Sequence, residues 1–148
     1  MYDDVSLVRN DRGPDFSVRD SVGRVVLFVE AKAHRNLGVE GAIDWRREGW
    51  SVTRGVASLL VTPETMFFWS AGVGETTAPV TIDARAHLGR YLTAVTTGEA
   101  IDPQVFAWVV SSWLEDVLEG TVFPADLGPL AALLPQRREG QTPGQPWL

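Results

Sequence analysis

The stretch PDFSVRDSVGRVVLFVEAK, residues 14 to 32, decides how the rest of the chain is read. Phe16 to Arg19 has strand composition, Asp20, Ser21 and Gly23 supply turn chemistry, and Val25 to Ala31 is strongly apolar. Together they predict a β-hairpin. Val25, Val26, Leu27, Phe28 and Val29 do not alternate with polar residues, the pattern of a central strand covered on both faces by helices. Packing gives such a strand no reason to end in Glu30 and Lys32, so the two charges ask for a chemical reason. Two residues apart on a strand, they point to the same face. Asp15 opens the first strand and Glu30 closes the second, so antiparallel pairing brings the two carboxylates side by side at one end of the sheet.

Paired carboxylates are donors for a hard divalent cation. With a backbone carbonyl, here that of Ala31, they form a partial shell that leaves positions for water and a substrate phosphate. Mg²⁺ or Mn²⁺ in such a shell neutralises phosphoryl charge and acidifies a bound water, which is what phosphodiester hydrolysis needs. The Lys32 ammonium then orients or helps deprotonate the attacking water, or neutralises charge in the transition state. Lys32 is also the only lysine, the other twelve of the thirteen basic residues being Arg.

Pro14-Asp15, fourteen intervening residues, and Glu30-Ala31-Lys32 on an apolar strand resemble the PD-(D/E)XK nuclease superfamily, which includes restriction endonucleases and Holliday junction resolvases. The resemblance covers roughly residues 13 to 70. It implies an α/β fold with a restriction-endonuclease-like core, a mixed β-sheet flanked by helices, to which C-terminal helices are added. It also implies a metal-dependent endonuclease acting on DNA in defence, repair or recombination. Asp15 and Glu30 would be metal ligands with the Ala31 carbonyl, and Lys32 the water-orienting residue. The family often adds an acidic residue from a helix before the first strand, for which Asp3 and Asp4 are the candidates here.

Outward from the hairpin, Met1 to Gly13 reads as a short helix or strand. Val39 to Arg54 reads as a helix weakened by Gly41 and Gly49. Ala57 to Thr62 and Thr65 to Ser70, separated by Pro63 and Glu64, form a second hairpin pattern, and Val80 to Ile82 reads as a short edge strand. A helix over Ala84 to Val95 follows. A stronger one opens on Asp102 as cap with Pro103 in its first turn and stops at Gly120; Phe106, Val109, Val110, Trp113, Leu114 and Val117 recur at helical spacing. Leu127 to Leu134 predicts a short helix packing back. Residues 1–134 thus make one domain, and the Pro-, Gly- and Gln-rich residues 135–148 read as a flexible tail.

Composition narrows the class. With 148 residues, 45% hydrophobic, six Trp and six Phe, the chain can bury a core. The absence of Cys, of a leader-like start and of an apolar run near the roughly 18 residues of a membrane helix predicts a cytoplasmic protein without disulfides. The net charge of −6 argues against a surface coated for gripping nucleic acid. Residues 1–54 hold nine basic and nine acidic side chains and residues 55–148 four and ten, so a polyanion should meet the first half.

His34, Arg35, Arg46, Arg47 and Arg54 are candidate nucleic-acid contacts around the site. A loop histidine is the plainer reading of His34, and solvated helix charges paired with Asp44 and Glu48 explain the arginines almost as well. Trp45 and Trp50 offer base-stacking surfaces, but core packing or a subunit interface is the simpler expectation; Trp108, off the apolar stripe, suits a dimer contact. No phosphate-binding Gly-rich loop, serine elbow or zinc-ligand spacing is present. The expected partners are DNA and either a second copy of the chain or a larger nuclease assembly. The alternative, drawn from the acidic second half and the short segment before Pro14, is a catalytically inactive nuclease fold acting as a binding or scaffolding subunit.

Overall fold

The computed structural model of the chain describes residues 5–10, 14–95, 101–122 and 126–134. Six strands form one sheet in chain order: β1 (Ser6–Arg9), β2 (Phe16–Arg19), β3 (Val25–Ala31), β4 (Ala57–Val61), β5 (Thr65–Trp69) and β6 (Val80–Asp83). All neighbours are antiparallel except β3 and β4, so the sheet is mixed and the architecture α/β. A parallel step needs a crossover. Here it is made by α1 (Val39–Glu48) and α2 (Trp50–Thr53), and α3 (Ala84–Val95) and α4 (Pro103–Glu119) follow β6.

The first hairpin forms where the sequence places it. Asp20 Oδ1 accepts from the backbone N–H groups of Val22 (3.0 Å) and Arg24 (2.9 Å), and Gly23 takes the left-handed φ of 85° that a β-carbon would disfavour. The register pairs Phe16 with Val29, Ser17 with Phe28 and Val18 with Leu27, then shifts by one so that Arg19 meets Val25. Val26 is the extra residue of that bulge. This accounts for the missing alternation, because Val26 packs against the same cluster as Leu27 and Val29.

Two cores lie on opposite faces of the sheet. Phe16, Val18, Leu27, Val29, Leu59, Val61, Met66 and Phe68 pack against α3 and α4, whose buried stripe includes Leu88, Phe106, Val110, Trp113 and Val117. A smaller cluster of Leu60, Phe67 and Trp69 packs against Ala42, Leu37 and Trp45 on the α1 side. β3 therefore lies inside the sheet, with Leu27 and Val29 in the core under α3 and α4, whereas the α1-side cluster includes no β3 residue and Phe28 stays half-buried, so the two-sided cover suggested by its composition is incomplete.

Several boundaries differ from the sequence reading. The helix expected over Val39 to Arg54 is broken at Gly49 into α1 and α2, a residue whose low helix propensity suits a break. Of the two forms expected for the opening segment, a short helix or strand, the structure has the strand β1, and the piece expected as a helix over Leu127 to Leu134 is a 3₁₀ helix, Gly128–Leu133. The proposed tail, residues 135–148, lies outside the described residues. In α4 the Asp102 carboxylate accepts from Gln104 N (2.8 Å) and Val105 N (3.3 Å), and Gly120 closes the helix at φ 80°. No helix among the described residues is long and apolar enough to cross a membrane.

Removing the Asp102 cap and opening a cavity in the main core should differ in size. Asp102→Ala should lower the unfolding free energy by about 1 kcal/mol, and Leu59→Ala, at a fully buried position, by about 2–5 kcal/mol. Urea denaturation followed by circular dichroism measures both. Equal losses would contradict the core described above.

Candidate functional site

The edge of the site is built by Asn10. Its backbone N–H donates to the Asp15 carbonyl (2.9 Å), its side-chain amide donates to the Pro14 carbonyl (3.0 Å), and its Oδ1 accepts from Ser17 Oγ (3.4 Å). The chain is thus clamped where it enters β2, with Asp15 next to Phe16. Because Phe16 pairs with Val29, continuing the antiparallel register places Asp15 opposite Glu30. Asp15 Oδ2 accepts from the Ala31 backbone N–H at 2.9 Å, across the end of the hairpin.

On the other side of β3, Lys32 N–H donates to the Val61 carbonyl (2.8 Å), so the end of β3 is held by β4. Within an extended residue N–H and C=O point toward the same edge. The Ala31 carbonyl therefore leaves the strand on the side of Asp15, since its N–H already points there. Asp15, Glu30 and Lys32 are brought together on the α1 face of the sheet.

Trp45, on α1, completes the arrangement: its indole Nε1–H donates to Glu30 Oε2. Its ring lies 6.0 Å from that of Trp69 on β5 at an interplanar angle of 34°. Glu30 and Lys32 line a cleft of about 280 Å³ whose other wall includes Trp45, Glu48 and Val52, with Pro14 at its rim. Burial pushes the Glu30 carboxyl above its ordinary value, and the nearby Asp15 charge adds to this; the Trp45 hydrogen bond and the Lys32 charge act the other way.

The remaining candidates scatter. His34 and Arg35 are exposed in the segment after β3, and Arg54 is exposed after α2. Arg47 is half exposed with its Nε 4.0 Å from a Glu75 carboxylate oxygen. Arg46 corrects the expectation of a solvated helix charge. It is 2% exposed, its guanidinium donates to the carbonyls of Val73 (3.2 Å) and Gly74, and it lies 4.7 Å from the Trp50 ring and 5.3 Å from that of Trp69. Those partners commit it to holding the segment after β5 onto α1, from where it lines the same cleft as Glu30 and Lys32. Asp3 and Asp4 lie outside the described residues.

Asn10 and the indole of Trp45 escape a reading of the sequence. No local pattern links Asn10 to a turn five residues on, and a tryptophan on a helix reads as packing. The donor set suits a sparse oxygen shell: two carboxylates, each with one oxygen tied by an N–H, and the Ala31 carbonyl on the same edge. No cluster of three or more His, Cys, Asp or Glu side chains arranged for a metal occurs among the described residues, so such a shell relies on water, as Mg²⁺ sites often do. A second cleft of about 260 Å³, between β1 and α4, is lined by Leu7, Arg9, Trp108 and Glu115 and gathers no comparable set of groups.

Compared with protein-family models, curated proteins and solved structures, the chain gives no match.

The raised Glu30 value has a stability consequence. Between the ordinary value of 4.5 and the folded one, the native state binds the proton more tightly than the unfolded chain, so stability from this group falls as pH rises. Glu30→Gln cannot ionise. It should resist denaturant better than the wild type at neutral pH, without added divalent metal, and the advantage should vanish below pH 4.5. Buried His87, whose value is lowered by burial, works in the opposite sense and cancels in the comparison. A variant less stable at neutral pH would mean that Trp45 and Lys32 outweigh burial.

Proposed function

We propose that the chain is a metal-dependent nuclease with a restriction-endonuclease-like core, hydrolysing phosphodiester bonds in DNA. The observation that carries this reading is the meeting of Asp15 and Glu30 across the β2–β3 hairpin, with Lys32 on the same face and a cleft beside them. The order of hairpin, helix and parallel strand agrees with it.

In this reading Asp15, Glu30 and the Ala31 carbonyl hold Mg²⁺ or Mn²⁺, which when bound supplies charge neutralisation and an acidified water. Lys32, exposed at the mouth of the cleft, holds the attacking water or the phosphoryl oxygen by its ammonium. Asp15 is fixed by the Ala31 N–H and the Asn10 clamp, so it meets the substrate without rearrangement. His34, Arg35, Arg47 and Arg54 are the candidates for contacts to flanking phosphates. So small a unit offers little surface for reading a sequence, which favours a homodimer or a place in a larger defence or repair assembly.

A scaffolding role for the same fold draws on the sparse carboxylate set. Cleavage of supercoiled, linear, single-stranded and branched DNA in Mg²⁺ or Mn²⁺ separates the two. The wild type should cut at least one substrate, and Lys32→Ala and Glu30→Ala should each slow it by about 10²-fold or more. A folded wild type that cuts none of them would leave the scaffolding reading standing.

A further inference from the structure

Glu30 and Asp15 are treated alike by the fold: one oxygen of each accepts a hydrogen bond from a fixed N–H. For Asp15 the donor is the backbone of Ala31, set by strand geometry. For Glu30 it is the indole of Trp45, which reaches across from another element. We propose that Trp45 is the positioning residue of the metal centre, fixing Oε2 of Glu30 so that Oε1 is presented to the cation. The inference rests on the metal-site reading above and adds a residue to it that touches neither metal nor substrate.

Three features favour positioning over simple packing. The indole lies tilted against Trp69 and packs with the cluster of Leu60 and Phe67, so its ring is oriented by the sheet itself. The helix that carries it is fastened by the neighbouring residue, since Arg46 donates to the carbonyls of Val73 and Gly74. And the bond is made to a charged oxygen, which makes it stronger than one between neutral groups. Glutamate has three side-chain torsions. Without a partner, its carboxylate would sample orientations that a cation must then select at an entropic cost.

The consequence is read first in metal affinity. Trp45→Phe keeps a ring for Trp69 and removes only the donor. It should weaken Mn²⁺ binding to the full chain by about 10- to 100-fold, the range found when a ligand's supporting hydrogen bond is removed. Trp50→Phe, whose ring lies against Arg46 and not Glu30, should leave it unchanged. Isothermal titration gives the affinities. Cleavage by Trp45→Phe should recover toward the wild-type rate at high Mn²⁺, whereas Lys32→Ala should not.

A second readout does not depend on Trp45→Phe folding. In the wild type, the indole N–H resonance that Glu30→Gln displaces should also move on titration with Mg²⁺. Wild type that binds neither metal overturns the metal-site reading together with this inference. Wild type that binds, with Trp45→Phe binding equally well or with an indole resonance indifferent to Mg²⁺, overturns the inference alone.

Discussion

Two half-buried carboxylates face one another across an antiparallel pair, and the surroundings are arranged to tolerate that. Near a protein surface, two like unit charges 4 Å apart repel by about 4 kcal/mol. Hydrogen bonds to charged groups contribute about 1.5–3 kcal/mol each. The Ala31 N–H on Asp15 and the Trp45 N–H on Glu30 act against that repulsion, with Lys32 adding a charge of the opposite sign. Glu30 nevertheless holds its proton more tightly than an ordinary glutamate, chiefly because burial disfavours its charged form, with the Asp15 charge adding to this.

Much of the remaining structure serves to keep that end of the sheet in register. The Asp20 turn sets the hairpin from one end and Asn10 clamps it from the other, so a slip of one residue would move Asp15 to the α4 face. The parallel step to β4 secures Lys32 through the Val61 carbonyl. On the α1 side, Arg46 gives up its outward charge to hold the loop after β5, at the expense of solvation, which burial registers as a lowered affinity for its proton. That loop carries the carbonyl of Thr77 that accepts from the Trp69 indole (2.8 Å), and Trp69 in turn orients Trp45.

The elements that could be read from the sequence are those whose signals are local. The turn residues at Asp20 and Gly23, the apolar run of β3, the Pro63–Glu64 break and the cap and stop of α4 all act within a few positions, and each element forms near where it is expected. What could not be read depends on partners far along the chain. Arg46 looks like a solvated helix arginine until Val73 and Gly74 come to meet it. Trp45 gives no sign that Glu30 lies beneath its N–H rather than another apolar residue. The bulge at Val26 is similar, since a run of five apolar residues does not say which two share a face. Asp15 and Glu30 were legible as a pair because hairpin geometry is short-range, whereas the groups that support them were not.

The burial of Arg46 also changes how charge must be weighed on the site's face. The acidic second half of the chain places Asp102, Glu115, Asp116 and Glu119 on or beside α4, across the sheet from α1. The partition seen along the sequence does not become one between faces, because α1 itself carries Glu40, Asp44 and Glu48 and Glu75 lies beside Arg47. The α1 side is therefore not strongly basic. Arg46 is spent on carbonyls, Arg47 lies beside Glu75, and Glu48 lines the same cleft as Lys32. Under the proposed function, phosphate recognition there cannot rest on arginines alone, because the carboxylates that would hold the cation also repel the substrate. The cation itself would then be the main source of positive charge in the cleft, and substrate affinity and metal affinity would rise and fall together.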